Sequence, residues 1–411
     1  MEPEVVLGGS PGSRRLSNTF VEVVDIGDGT SSESKRPASA PPDGAPASGA
    51  PSATTTAIDE DTRVPTPPSN QPDEDADGIL TFRTLGWRRP HLMDEIAARW
   101  AVMEDWPLEE SSRDDNSKVT EQELASIPAL RKSILQRLGV QEPPTGFQAH
   151  HFTRWKLLCM LRARGGDISK STDRAIECLH AVDLALEAAR RFEASEEAMK
   201  DLRDAYIPFG FYGRDRRGAP VLYYRLGKMD VTGYAREVGI DFHHDGEWYT
   251  YLVQWDGMIQ QNARQRTALQ GHLIVVDLSG FSLMNVISSK GVAKHVLDKP
   301  TYPAGEHPMP EGARKILICG APWWVGKLWA IAKRLLPART TAKMSIFSDS
   351  QWADFRKALF ARVETDQVPA WAGGTGATPW PYGEGGEVPK GVGAAAKGSA
   401  EPPGVGRNKT I

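Results

Sequence analysis

Residues Arg314 to Phe347 read RKILICGAPWWVGKLWAIAKRLLPARTTAKMSIF. The first part, Ile316-Leu317-Ile318-Cys319, is a short apolar run that suits a buried strand. Gly320-Ala321-Pro322 breaks it, and Pro322, which lacks an N–H, is placed to open a helix. From Trp323 the period changes. Trp324, Leu328, Ile331 and Leu335 recur at helical spacing and share one face, whereas Lys327, Lys333 and Arg334 point elsewhere. Pro337 closes the expected helix, and Met344-Ser345-Ile346-Phe347 reads as a return strand. Strand, aromatic helix and strand make one α/β unit. The helix can cover a parallel sheet, or it can close over an apolar ligand or touch a bilayer. Trp323, Trp324 and Trp329 with basic neighbours suit the second role.

Working outward, the chain has 411 residues, 40% apolar and 25% charged, enough for two domains of ordinary globular composition. A net charge of −4 gives no general case for nucleic acid, so no nucleic-acid partner is expected and any anion site must be local. Cys159, Cys178 and Cys319 are too scattered for a metal site or a disulfide framework, which points to a reducing compartment. The acidic N-terminus does not resemble a signal peptide, and Glu2 stands where myristoylation needs glycine. No run approaches a membrane span of about 18 residues. The expectation is a cytoplasmic protein with transient peripheral contact with a membrane surface.

Residues 1–78 are rich in Pro, Ser and Thr, as at Pro65-Thr66-Pro67-Pro68, and read as a disordered tail able to recruit a protein partner. Residues 79–200 read as a helical region. Its stripes are Met93, Ile96 and Trp100; Leu130, Ile134, Leu135 and Leu138; a helix from Phe147 to Leu161; and a longer one over Asp173 to Phe192. Residues 201–375 carry the α/β pattern. A polar turn at Arg214-Asp215-Arg216-Arg217-Gly218 precedes the strand Pro220 to Leu226, and a helix follows over Trp248 to Ala268. Leu273-Ile274-Val275-Val276-Asp277-Leu278 is the strongest strand, apolar enough to be covered on both faces. Asp277 reads as an Asx turn residue, and His243-His244-Asp245 as a surface loop. The element order predicts a mostly parallel sheet covered by helices. Residues 376–411 are a Gly-rich tail.

Together these motifs resemble the CRAL-TRIO, or Sec14-like, lipid-binding family over about residues 125–375. Met160-Leu161-Arg162-Ala163-Arg164 is similar to the family's FLRAR element, and Gly213 to Val221 to its charged turn. Leu273 to Gly280 resembles its central strand, and Tyr302-Pro303 its Y-P. Ile318-Cys319-Gly320-Ala321-Pro322 resembles I-I-N-A-P, Thr341 to Ile346 resembles T-x-x-K-I-x-I, and Val368 to Thr375 the closing L-P-x-x-x-G-G-T. Each match is weak alone, while the order and spacing are specific. There are departures. Gly320 stands where the family has Asn. The segment Ala304 to Lys315 is longer than the family's E-R-x-G-K, and Ala304 occupies the place of the acidic residue after Y-P.

The resemblance implies the CRAL-TRIO fold, an internal hydrophobic pocket and non-enzymatic binding of one lipid, with phosphatidylinositol or a phosphoinositide as candidates. It implies intermembrane transfer or presentation, with no cofactor beyond the bound lipid. The implied gate holds Trp323, Trp324, Leu328, Ile331 and Leu335. Lys343 is the implied headgroup residue, with Arg162 and Arg164 as further candidates. Two alternatives stay open: a carrier of another small lipophile, and a scaffold that senses lipid without transferring it.

Overall fold

The computed structural model describes residues 89–102, 105–108, 118–334 and 338–377. Both tails, apart from Gly376 and Ala377, lie outside them. A helical region comes first: α1 (Leu92–Trp100), α2 (Glu121–Leu138), α3 (Arg154–Ala163), α4 (Ile168–Glu193) and α5 (Glu197–Tyr206). Then follow β1 (Phe209–Arg214), β2 (Pro220–Tyr224), α6 (Val231–Glu237), α7 (Ile240–Gln265), β3 (His272–Asp277) and α8 (Leu283–Leu297). The chain continues through β4 (Ala313–Ala321), α9 (Trp323–Ala332), α10 (Ala338–Lys343), β5 (Met344–Ser348) and α11 (Trp352–Phe360).

The five strands lie in sequence order in one sheet. β1 pairs antiparallel with β2 through the predicted polar turn, and β2 to β5 run parallel. Asp215 organises that turn by accepting from the N–H groups of Arg217 and Ala219, both at 2.9 Å. Alternation along the strands separates two faces. Val221, Tyr223, Leu273, Val275, Leu317 and Cys319 bury against Phe355 and Leu359 of α11. The other face presents Val276, Leu278, Ile318 and Ala321, with Tyr224, Ile274, Ile316, Met344 and Ile346 only partly covered. The helical region and α7 share one continuous core with β1 and β2 at the edge of that second face.

Several local expectations are revised. The helix expected over Phe147 to Leu161 is two elements, because Thr153 ends a 3₁₀ segment and caps α3, its hydroxyl accepting from the Lys156 N–H. His243-His244-Asp245 is not a surface loop but the opening of α7, where His244 is buried against Thr301 at 2.6 Å. Lys343 is the last residue of α10 and immediately precedes β5. Asp277 does form the Asx turn, accepting from the Ser279 N–H at 2.8 Å. Gly320 has φ +62°, and a Cβ there would lie 2.2 Å from the Ser279 hydroxyl. Glycine meets both demands.

Candidate functional site

A small cleft, with enclosed room for about one water molecule and otherwise open to solvent, lies where the start of β4, the end of α10 and the end of α3 meet. Its lining includes Arg162, Gln270, Glu311, Arg314, Arg339 and Lys343 above an apolar floor of Trp155, Leu158 and Cys159. The chain thus brings Arg162 and Lys343, two of the three headgroup candidates, into one cleft.

Each cation is held by a defined partner. Arg162 makes a two-pronged bond to Glu123, at 2.7 and 3.0 Å, and also donates to Gln270. Glu123 is itself the reciprocal member of a capping box with Thr120, so the start of α2 orients Arg162. Lys343 donates to Glu311 at 2.7 Å, and Arg339 donates to the same oxygen at 3.0 Å. Burial acts to raise the Glu311 carboxyl, but the charges of Lys343 and Arg339 outweigh it and hold the group below its usual range. Burial lowers the Lys343 amine, an effect Glu311 partly offsets. Arg314 pairs with buried Asp215 at 2.8 Å. Four cations therefore face one lining carboxylate, with Glu123 and Asp215 engaging two of them from behind. The cleft therefore carries an excess of positive charge over its own carboxylates.

Arg164, the third candidate, is not among the lining residues. It donates to Glu306 at 2.7 Å. Buried Arg174 of α4 joins it, donating to the carbonyls of Pro303, Glu306 and His307 at 2.9, 3.1 and 3.1 Å. The two arginines clamp the long segment after Tyr302-Pro303 onto the helical region.

Glu311, Gln270, Arg314 and Arg339 were absent from the sequence-based candidates. Glu311 had a signal. Glu311-Gly312-Ala313-Arg314-Lys315 keeps the Glu and Lys of E-R-x-G-K at their spacing, displaced by the insertion that put Ala304 after Pro303.

Beyond the cleft the partly covered sheet face continues toward α9. Trp324 stacks on Phe281, with ring centroids 6.2 Å apart, and Val325 packs on the apolar face. Trp323 is 73% exposed and holds the Lys327 ammonium 4.7 Å from its ring centroid. Leu328 is half-buried. The backbone of Ile331 belongs to α9, and Leu335 lies outside the described residues. α8 adds a feature that was not foreseen: Leu283, Met284 and Ile287 are all more than half exposed. Among the described residues no helix is long and apolar enough to cross a membrane, and no three His, Cys, Asp or Glu side chains gather as a metal site.

A five-stranded sheet with one face left apolar and a cationic cleft at its edge agrees with the comparison to known families. The CRAL/TRIO domain profile matches residues 204–374. Those residues form a CRAL/TRIO domain. Among curated relatives, the protein real-time of Aedes aegypti is 28% identical over 277 residues, 65% of this chain and 40% of that protein. The phosphatidylinositol/phosphatidylcholine transfer protein SFH13 of Arabidopsis thaliana is 26% identical over 269 residues, 62% of this chain and 39% of that protein. The chain thus spans about two-fifths of the length of these relatives. The crystal structure of Sfh5 aligns with a TM-score of 0.41 at 14% identity, covering 68% of this chain and 96% of that one. The cleft and the helix α9 both draw on the CRAL/TRIO domain, while Arg162 comes from the helical region that precedes it.

Proposed function

We propose that the chain binds one phospholipid, phosphatidylinositol or a phosphoinositide, and carries or presents it between membranes without chemical change. In this reading the phosphate enters the cleft and the acyl chains lie on the sheet face that carries Ile274, Ile316, Ile318 and Ile346. The supporting observation is the convergence of Lys343, Arg162 and Arg339 beside an apolar face. Each buried CH₂ contributes ~0.8 kcal/mol, so the slot must be dry when loaded and must open only at a membrane. Trp323 and Trp324 on α9 serve as the membrane-facing and guest-facing sides of that gate. Cys159, on the cleft floor, is a poor nucleophile because burial pushes its thiol up to about 11.

The test is pickup from mixed vesicles by the full chain. Lys343→Ala removes one charge-assisted contact to the phosphate, worth roughly 1.5–3 kcal/mol, so phosphoinositide pickup falls about tenfold or more. Phosphatidylcholine pickup changes less. Equal losses for both lipids would refute a contact to the ring monoester phosphate that phosphatidylcholine lacks.

A further inference from the structure

A second polar group stands at the other end of the sheet. The cleft lies at the N-terminal ends of β3, β4 and β5, where His272 aligns with Ala313 and Ile316 with Met344. Tyr224 is the last residue of β2 and aligns with Val276 near the C-terminal end of β3. It packs against both the α7-side core and the partly covered face. Across from it on α7 are Tyr251 and, one turn earlier, Glu247. Glu247 lies seven residues before Gln254, which bonds to His272, so it sits about 10 Å along the helix from that end.

Glu247 is hemmed in deeply enough that burial is the largest influence on its carboxyl, yet 26% of its side chain remains accessible. The carboxylate is thus partly accessible beside the packed Tyr302 ring. Its contacts are two and long: the Tyr302 hydroxyl donates at 3.4 Å, and the His243 ring nitrogen lies 3.3 Å away. A carboxylate offers about four acceptor positions. The charge of His243 offsets the burial and keeps the group on the ionised side. The site is closed by the inserted segment. His307 packs edge-on against Tyr251 at 4.4 Å and against Tyr302 at 5.7 Å, held there by the Arg174 clamp.

We propose that Glu247, framed by Tyr224, Tyr251 and Tyr302, is a second polar subsite that takes a hydrogen-bond-donating group of the guest, a hydroxyl or a protonated amine. The inference rests on the lipid-carrier reading and extends it. An acidic group is repelled there, and a quaternary ammonium, with no N–H, leaves the carboxylate unfilled. The inserted segment is then the part of the chain that sets which guests fit.

The test offers the full chain octadecanol, octadecylamine or stearate from phosphatidylcholine vesicles at about neutral pH. Wild type is expected to take up the alcohol and the amine ~tenfold better than stearate, the size of one charge-assisted hydrogen bond. Glu247→Gln removes the charge but keeps an acceptor, so the amine-to-stearate ratio collapses to within about threefold while the alcohol is retained. Tyr302→Phe preserves shape and uncovers one acceptor position, so it raises the amine-to-stearate ratio and provides a readout should Glu247→Gln not fold. Equal uptake of the three probes by wild type, a ranking that survives Glu247→Gln, or a ratio lowered by Tyr302→Phe overturns the subsite. Phosphoinositide pickup is measured in parallel. If it persists while the ranking is absent, the subsite fails alone; if no lipid of any kind is taken up, the carrier reading fails with it.

Discussion

Lys156 on α3 shows how far a single side chain can depart from what its neighbours in sequence suggest. Its ammonium is fully buried without a hydrogen-bond partner among the described residues, 3.3 Å from the ring centroid of Trp255 and 4.8 Å from that of Trp155. Burial pulls its pKa down to about 7. The folded state therefore binds fewer protons than the unfolded chain between about pH 7 and the ordinary lysine value of 10.5, and stability rises with pH across that window. Below about pH 7 the full penalty is present. Cation–π attraction of about 2 kcal/mol returns only part of it. Lys156→Met is expected to raise the melting temperature at pH 7 and to flatten the rise toward pH 10. A variant less stable than wild type at every pH would show that the aromatic cage outweighs the desolvation. His151 beside it, held down to about 3 by burial, works in the same direction at lower pH, removing stability as pH falls below about 6.5. Nothing in the local sequence marks Lys156, because Trp255 arrives from a distant helix. Lys343 and Arg162 were legible because each sits in a spaced motif, whereas Arg339 and Gln270 enter the cleft only through tertiary folding.

At the level of elements, the hydrophobic pattern was a sound guide both where one face is buried and the apolar residues recur with a period, and where two faces are buried and they run continuously. β3, β4 and β5, the stop of α2 at Gly139 and the long α4 follow directly from it. It failed where local hydrogen bonding competes, as at Thr153, and where polar residues lie inward, as His244 does at the start of α7. It gave no sign that α8 would leave Leu283, Met284 and Ile287 exposed, which depends on what the helix does not pack against. For each of these side chains and for Trp323 of α9, transfer into lipid is favoured by up to about 1.5–3 kcal/mol. Trp324 stacks on Phe281, and in the proposed reading it faces the guest. Trp324→Asp is expected to slow vesicle-to-vesicle transfer several-fold while leaving the circular dichroism spectrum unchanged. Transfer at the wild-type rate would remove α9 from the gate.

Across the whole molecule the design is a division of labour between the two faces of one sheet. One face is closed by α11 and holds the fold together. The other is left partly uncovered, flanked by cations at the strand N-terminal ends and by Glu247 with its tyrosines at the opposite ends. The helical region contributes more than support, since Arg162 completes the cleft and Arg164 and Arg174 fix the inserted segment. In the proposed reading the guest's chains complete the cover of that face. Native mass spectrometry of the full chain, purified without detergent, tests this most directly. The account predicts a one-to-one complex whose added mass is released on denaturation and fragments as a phospholipid. A bare polypeptide mass, unchanged after incubation with mixed phospholipid vesicles, would contradict it.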